Sequence, residues 1–263
     1  MLNPLVIAKG CVLDQPIFLE GDESRVCNIV LEEGSVVTIV DDGTKYERHI
    51  TLHANAMLNY IQLQTDPLAT PQKSHLIIQQ KQNSRAQFVS CITEGDVSEN
   101  TLHATLEEQG AVCHTAGFYH AKSAQQMIKH HIRITHAAPN CESDMLYKGI
   151  ADQGKIGFEG ILQVMPLAQK TRATQLSQQL LLSSRAEGYA KPILEINTDD
   201  VLCKHGATIG YLDEAVLFYL RSRGLSKEEA MMLFLNGFAE TILQRISHPS
   251  LQASIREQVL QPC

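Results

Sequence analysis

Cys203 and His205 stand two residues apart in the stretch Asp199 to Leu212, DDVLCKHGATIGYL, and form the pair in this chain best equipped for chemistry. A thiolate and an imidazole are the side chains that ligate borderline-soft metals, persulfides and iron–sulfur species. On an extended backbone, residues i and i+2 leave the same face about 6.6 Å apart, so the two groups would point the same way. Two ligands are only half of a closed tetrahedral set, and the plainer alternative is a core cysteine beside a surface histidine. A second group, His130, His131 and His136 with His114 and His120 before them, invites a metal reading as well. Adjacent His130 and His131 point to opposite faces of a strand and no carboxylate stands at catalytic-zinc spacing, so these histidines read as solvated faces.

The elements that must position the Cys-x-His pair differ on its two sides. Toward the N-terminus, from Val26 onward, short apolar or alternating segments are cut by turn residues, as in CNIVLEEGSVVTIVDDG, RHITLHANAMLNYIQLQTD and MIKHHIRITHAAPN. These are strand signals without helices between them. Polar residues at alternate positions, Thr51, His53 and Asn55 or His131, Arg133 and Thr135, mark wet faces, while Ile132 and Ile134 supply a buried one. Segments recurring at roughly 20 to 30 residues predict stacked coils, as in a parallel β-helix, with an antiparallel sandwich as the competitor. Against the sandwich, Asp42-Gly43 is the only Asn-Gly or Asp-Gly hairpin dipeptide in the strand-like stretch before Gly210. Residues 1–20, with Pro4 and Pro16, read as a lead-in, residues 21–210 as the β-helix and residues 211–263 as a small helical region.

Toward the C-terminus the pattern turns helical at Gly210. Asp213 and Glu214 open EAVLFYLRSRG, with Arg221 and Arg223 in its last turn and Gly224 beyond, the charge order that a helix dipole favours. Ser226 and Glu229 form a capping box for a second helix, whose Met231, Phe234, Leu235, Phe238, Ile242 and Ile246 make an apolar stripe. Such a stripe serves intrachain packing or a partner; with Leu217 and Phe218 of the first helix, Met231, Phe234, Leu235 and Phe238 are the partner-binding candidates. A short last helix is predicted over Ser250 to Leu260 after Pro249.

Composition narrows the function. With 263 residues and 44% hydrophobic content, the chain can bury a core without staples. Its seven cysteines, Cys263 the last, are scattered with no CxxC pair, which points to a reducing, cytoplasmic setting. No secretory signal or membrane span is read. A net charge of -7 with no Lys/Arg cluster argues against nucleic acid.

Several collinear blocks resemble the SufD branch of the SufB/SufD family of iron–sulfur cluster assembly proteins: LYKGIAD at Leu146 to Asp152, GFEGILQV at Gly157 to Val164, AQKTRATQLSQQLLLS at Ala168 to Ser183, AKPILEI at Ala190 to Ile196, the run from Asp199 to Gly224, and GFAE at Gly237 to Glu240. SufB-like chains tend to read HEAT where this one reads HGAT from His205 to Thr208, so Gly206 sets it on the SufD side. The resemblance implies a mainly β fold, a right-handed parallel β-helix followed by C-terminal helices. It also implies pairing with a SufB-type subunit through the β-helix ends and docking of a SufC-type ABC ATPase on the Asp213 to Ile246 helices. By the same route His205 is the candidate iron ligand and Cys203 its nearby thiol. No cofactor would reside on the chain: the iron–sulfur cluster would form transiently at the SufB-type interface, and ATP would bind only to the partner. Family members usually carry a long helical region ahead of the β-helix, whereas this chain opens almost directly on β segments, and Lys204 replaces a serine often found there.

The expected role is therefore a scaffold that is not itself an enzyme. A self-associating homodimer without assembly activity is one competitor. A β-helix polysaccharide enzyme is another, for which the clustered carboxylates and export that such chemistry needs are not apparent.

Overall fold

In the computed structural model, residues 4–19, 27–42, 45–65 and 72–259 are described. Alternating apolar positions keep the chain extended, and polar connectors of a few residues turn it, so that strands fall alternately into two parallel sheets. The first sheet, A, holds β1 (Leu5–Ile7), β3 (Cys27–Leu31), β5 (Lys45–Leu52), β7 (Gln72–Gln80), β9 (Val97–Leu106), β11 (Met127–His136), β13 (Lys155–Val164) and β15 (Glu187–Ile196). The second, B, holds β2 (Ile17–Leu19), β4 (Val36–Asp41), β6 (Met57–Gln64), β8 (Arg85–Ile92), β10 (Val112–Ala121), β12 (Glu142–Ala151), β14 (Thr171–Leu181) and β16 (Val201–Tyr211). Each strand pairs in parallel with the strand two places on, which makes a β-solenoid rather than a sandwich. Three helices follow: α1 (Glu214–Ser222), α2 (Lys227–Leu243) and α3 (Pro249–Val259). Among the described residues no helix is long and apolar enough to cross a membrane.

The register stacks like on like. Ile29, Ile50, Ile78, Ala104, Ile134, Leu162 and Leu194 form one inward ladder of sheet A. Burying each large aliphatic group in it removes apolar surface worth about 1.5–3 kcal/mol. Where two rings would collide, glycine gives way: Gly117 lies opposite Tyr147 and Gly149 opposite Tyr119, and a Cβ on either glycine would fall 2.5 or 2.3 Å from the facing ring.

One corner of each coil is set by a left-handed residue, Gly34, Asn55, Asn83, Gly110, Asn140 and Lys170 in turn, with φ between 55° and 77°. Their N–H groups donate to the same corner of the next coil, as Asn83 N does to Gln109 O at 3.0 Å and Asn140 N to Gln169 O at 2.9 Å. Glycine and asparagine tolerate this conformation; Lys170 does so least readily.

Two short strands fall inside the stretch read as a lead-in. Leu5 pairs with Ile29 and Ile17 with Ile39, so the ladders of both sheets begin there. The boundary at residues 20 and 21, Gly43 of the hairpin dipeptide, Leu260 and Cys263 lie outside the described residues. The other six cysteines are unbridged.

Candidate functional site

Cys203 and His205 lie on β16, the last strand of sheet B, and both point into the solenoid. Cys203 continues the inward ladder Val37, Leu58, Ala86, Cys113, Ser143, Ala173, and His205 continues the ladder Ile39, Tyr60, Phe88, Thr115, Met145, Gln175. Each is thus the terminal rung of a core column. Cys203 is half-buried against the interior, whereas His205, with no rung beyond it, is exposed. The same-face expectation holds.

Lys204 leaves the opposite face. With Leu202, Arg172, Thr174 and Arg245 it lines a groove of about 590 Å³ on the outside of sheet B, away from the thiol. Burial pushes the Cys203 thiol up from its ordinary value, so the isolated chain holds it protonated at neutral pH. Gly206 also faces outward: a Cβ there would meet Leu176 Cδ1 at 3.3 Å. A glutamate at this position would therefore project away from Cys203 and His205.

The end of the solenoid around this pair is uncovered. Both sheets finish on edge strands, β15 and β16, with no further strand pairing to them among the described residues. Ile196, Ile209 and Tyr211 sit on inward rungs, yet they are 40%, 45% and 67% exposed because no coil stacks on them. Sequence reasoning missed these three, along with outward-facing Leu202. Alternating apolar residues in a strand read as core, and only the strand order reveals that β16 is terminal.

The helices divide into a docked part and a free part. Asp213 caps α1 by accepting from Ala215 N at 2.8 Å, and Ser226 and Glu229 complete the capping box of α2, as their sequence predicts. Ala239, Ile242, Leu243 and Ile246 bury against the outer face of sheet B beside Val89, Phe118, Leu146 and Ile150. Phe234, Leu235 and Phe238 pack half-buried into that cluster, so their apolar groups are largely used within the chain. Lys148, reaching out of β12, donates to Thr241 Oγ1 at 2.9 Å and lies 4.6 Å from the centre of the Phe238 ring. Arg245 pairs with Asp144 across the same seam. By contrast α1 buries no residue: Phe218 is 74% and Tyr219 56% exposed, Leu217 is half-buried, and Leu233 of α2 is 54% exposed nearby in sequence to half-buried Met231.

The histidine cluster departs from its sequence reading. His131 is half-buried, but His130 and His136 are fully buried inside the solenoid; burial, with a smaller push from neighbouring His131, drives the pKa of His130 down to about 3, and burial drives that of His136 down to about 4. They are neutral core residues. His130 lies between the rings of Tyr119 and Tyr147, and His136 hydrogen-bonds Ser143 Oγ at 2.8 Å. Half-buried His114 faces Glu142 at 3.5 Å and buried His120 faces Asp152 at 2.8 Å, both on outward positions of sheet B. Among the described residues no three His, Cys, Asp or Glu side chains converge as a metal site.

Comparison with known proteins gives this geometry a family. The SufBD core domain of the SUF system for FeS cluster assembly matches residues 21–238. Chloroplastic protein ABCI7 of Arabidopsis thaliana is 28% identical over 98% of this chain and 60% of its own length. An iron–sulfur cluster assembly SufBD family protein of Synechocystis is 33% identical over 80% of this chain and 46% of its own. The iron–sulfur cluster assembly protein SufD of Escherichia coli is 27% identical over 87% of this chain and 56% of its own. The chain thus spans about half the length of the curated relatives it matches. It belongs to the SufB/SufD family of iron–sulfur cluster assembly proteins.

Proposed function

We propose that this chain is a SufD-like scaffold subunit, without a catalytic cycle of its own, whose uncovered solenoid end pairs with a SufB-type subunit in the cytoplasm. The observation that carries the reading is the terminal position of β15 and β16: two parallel edges with unpaired backbone groups, and Ile196, Ile209 and Tyr211 uncovered beside Cys203 and His205. Exposed edges of this kind pair with another chain unless something blunts them. A partner seated there would bring further ligands to His205, which binds iron as a neutral imidazole, and Cys203, whose raised pKa a bound metal would overcome. The iron–sulfur cluster is then cargo built from both chains, which accords with two ligands on this one. The second contact is the Phe218, Tyr219 and Leu233 surface, where a SufC-type ATPase, itself the only ATP-binding component, would dock.

Sedimentation of the chain alone and mixed with SufB-type and SufC-type proteins tests this. A three-component particle is expected, with Ile209→Asp/Tyr211→Asp losing the SufB-type subunit and Phe218→Asp losing the ATPase. Self-pairing is the second reading, favoured by the same edges, since an edge that accepts a homologous solenoid can accept a copy of itself. A homodimer indifferent to both partners would replace the scaffold reading.

A further inference from the structure

The inside of the solenoid is not uniformly apolar. At one level Ser74, Asn100 and His130 stand in register on sheet A and face Gln62, Ser90 and Gly117, in register on sheet B. Gln62 Nε2 donates to Ser74 Oγ at 3.0 Å and to Asn100 Oδ1 at 2.7 Å, and Ser74 Oγ donates to the same Oδ1 at 2.7 Å. The Asn100 oxygen is therefore fully engaged. Its amide nitrogen is not, and neither are Ser90 Oγ and His130 Nε2, all three fully buried atoms without a hydrogen-bond partner. Asn100, Ser90 and His130 are 5%, 8% and 1% exposed, so bulk water does not serve them.

All three side chains line one internal cavity of about 20 Å³, together with Gln62, Ser74 and Tyr147. A cavity holding one water needs about 10–15 Å³ and two to four polar partners, whereas an apolar cavity stays dry. Gly117 contributes no side chain, and the Tyr147 ring lying over it leaves no room for a larger molecule.

We infer that this cavity is a binding site for a single structural water that accepts from Asn100 Nδ2 and donates to His130 Nε2 and Ser90 Oγ, tying sheet A to sheet B across the interior. The water then has one acceptor and two donor roles filled, and the three protein atoms each gain a partner. The assignment fixes the imidazole tautomer: His130 must carry its proton on Nδ1. Burial holds the ring neutral, with a pKa near 3, which is the state that can accept.

A crystal structure of the full chain at a resolution that shows ordered solvent, with nitrogen-15 spectra of the imidazoles, tests the site. Expected are one density peak within about 2.7–3.2 Å of the three atoms and an Nδ1-protonated His130. Absence of the peak, pairing of the three groups with one another, or an Nε2-protonated ring would overturn it. His130→Phe puts a somewhat larger ring without nitrogens in the place of the imidazole and is expected to lose the peak with an unchanged circular dichroism spectrum; persistence of the peak counts against the site. Ser90→Ala, which removes only a hydroxyl, guards against misfolding of the first variant. It should speed exchange of the internal water with bulk about tenfold by magnetic relaxation dispersion, and an unchanged exchange rate would likewise overturn the assignment.

Discussion

The two sheets of the solenoid share one interior but meet the outside differently. On the outer face of sheet A, half-exposed polar rows run across the strands: Lys73 pairs with Glu99 at 2.8 Å, Lys155 with Glu187 at 2.9 Å, and Thr135 bonds Gln163, which bonds Glu195. On sheet B, Val89, Cys91, Phe118, Leu146, Ile150 and Leu180 disappear beneath α2 and α3. A strand covered on one face alternates, and one covered on both reads as a near-continuous apolar run, as the buried AGFYHA end of β10 does beside the alternating β11. The difference locates stability: it resides in the interior and the helix-covered face, while the ion pairs of sheet A contribute roughly 0–1 kcal/mol each.

The interior common to both sheets is expected to give the largest effect. Asp41 on sheet B, fully buried, accepts from Arg48 Nε of sheet A at 3.1 Å and from the Tyr60 hydroxyl. Asp41→Ala takes one partner out of a buried ion pair and should cost about 3–5 kcal/mol in urea denaturation. A smaller cost there would mean that the sheets are joined chiefly by apolar contact. On the outer faces, Leu146→Ala on sheet B should cost about 2–5 kcal/mol, whereas Arg133→Ala on sheet A, paired with Glu195 at 3.5 Å, should stay within about 0.5 kcal/mol. Equal losses at the two sites would erase the distinction.

Acid provides a third probe. His130 and His136 stay neutral in the fold down to about pH 3 and about pH 4, but in the unfolded chain they take up protons near pH 6.5. Both are fully compatible with folding above pH 6.5, and stability is lost as pH falls below it, at about 1.4 kcal/mol per pH unit for each histidine. His136→Gln should remove one of the two proton uptakes, visible as a shallower decline between denaturation curves at pH 7 and pH 5. The smallest effect belongs to the corner residue: Lys170, φ 58°, replaced by Asn should gain about 0.5–1 kcal/mol, read as a small rise in melting temperature.

Much of this organisation was legible in the chain. The stacked strands were visible in their alternation, as at Ile132 and Ile134, and α1 and α2 in Asp213, Ser226 and Glu229, because turn, cap and period-two signals are local. The coil corners carried a fainter signal, the Asn or Gly before β4, β6, β8, β10 and β12, which Lys170 interrupts before β14. The pairing of Cys203 and His205 on one face was legible for the same reason, as strand alternation fixes relative side-chain direction over two residues.

What the sequence left open depends on neighbours far along the chain. His130 and His131 differ by one position, and alternation set them on opposite faces without saying that one face is sealed. The apolar stripe of α2 allowed either a partner or sheet B, and it was the match of Phe234 and Phe238 to the outer face of strands many residues earlier that chose sheet B, leaving Phe218 of α1 uncovered. Likewise nothing local marks Ile209 and Tyr211 as uncovered, for they resemble buried rungs such as Ile156. The sequence by itself determined the coil, the caps and the direction of the Cys-x-His pair, since each follows from forces acting within a few residues. Which surfaces are buried, and that His205 crowns an open column, was decided by the tertiary structure, because burial is a property of what packs against a residue.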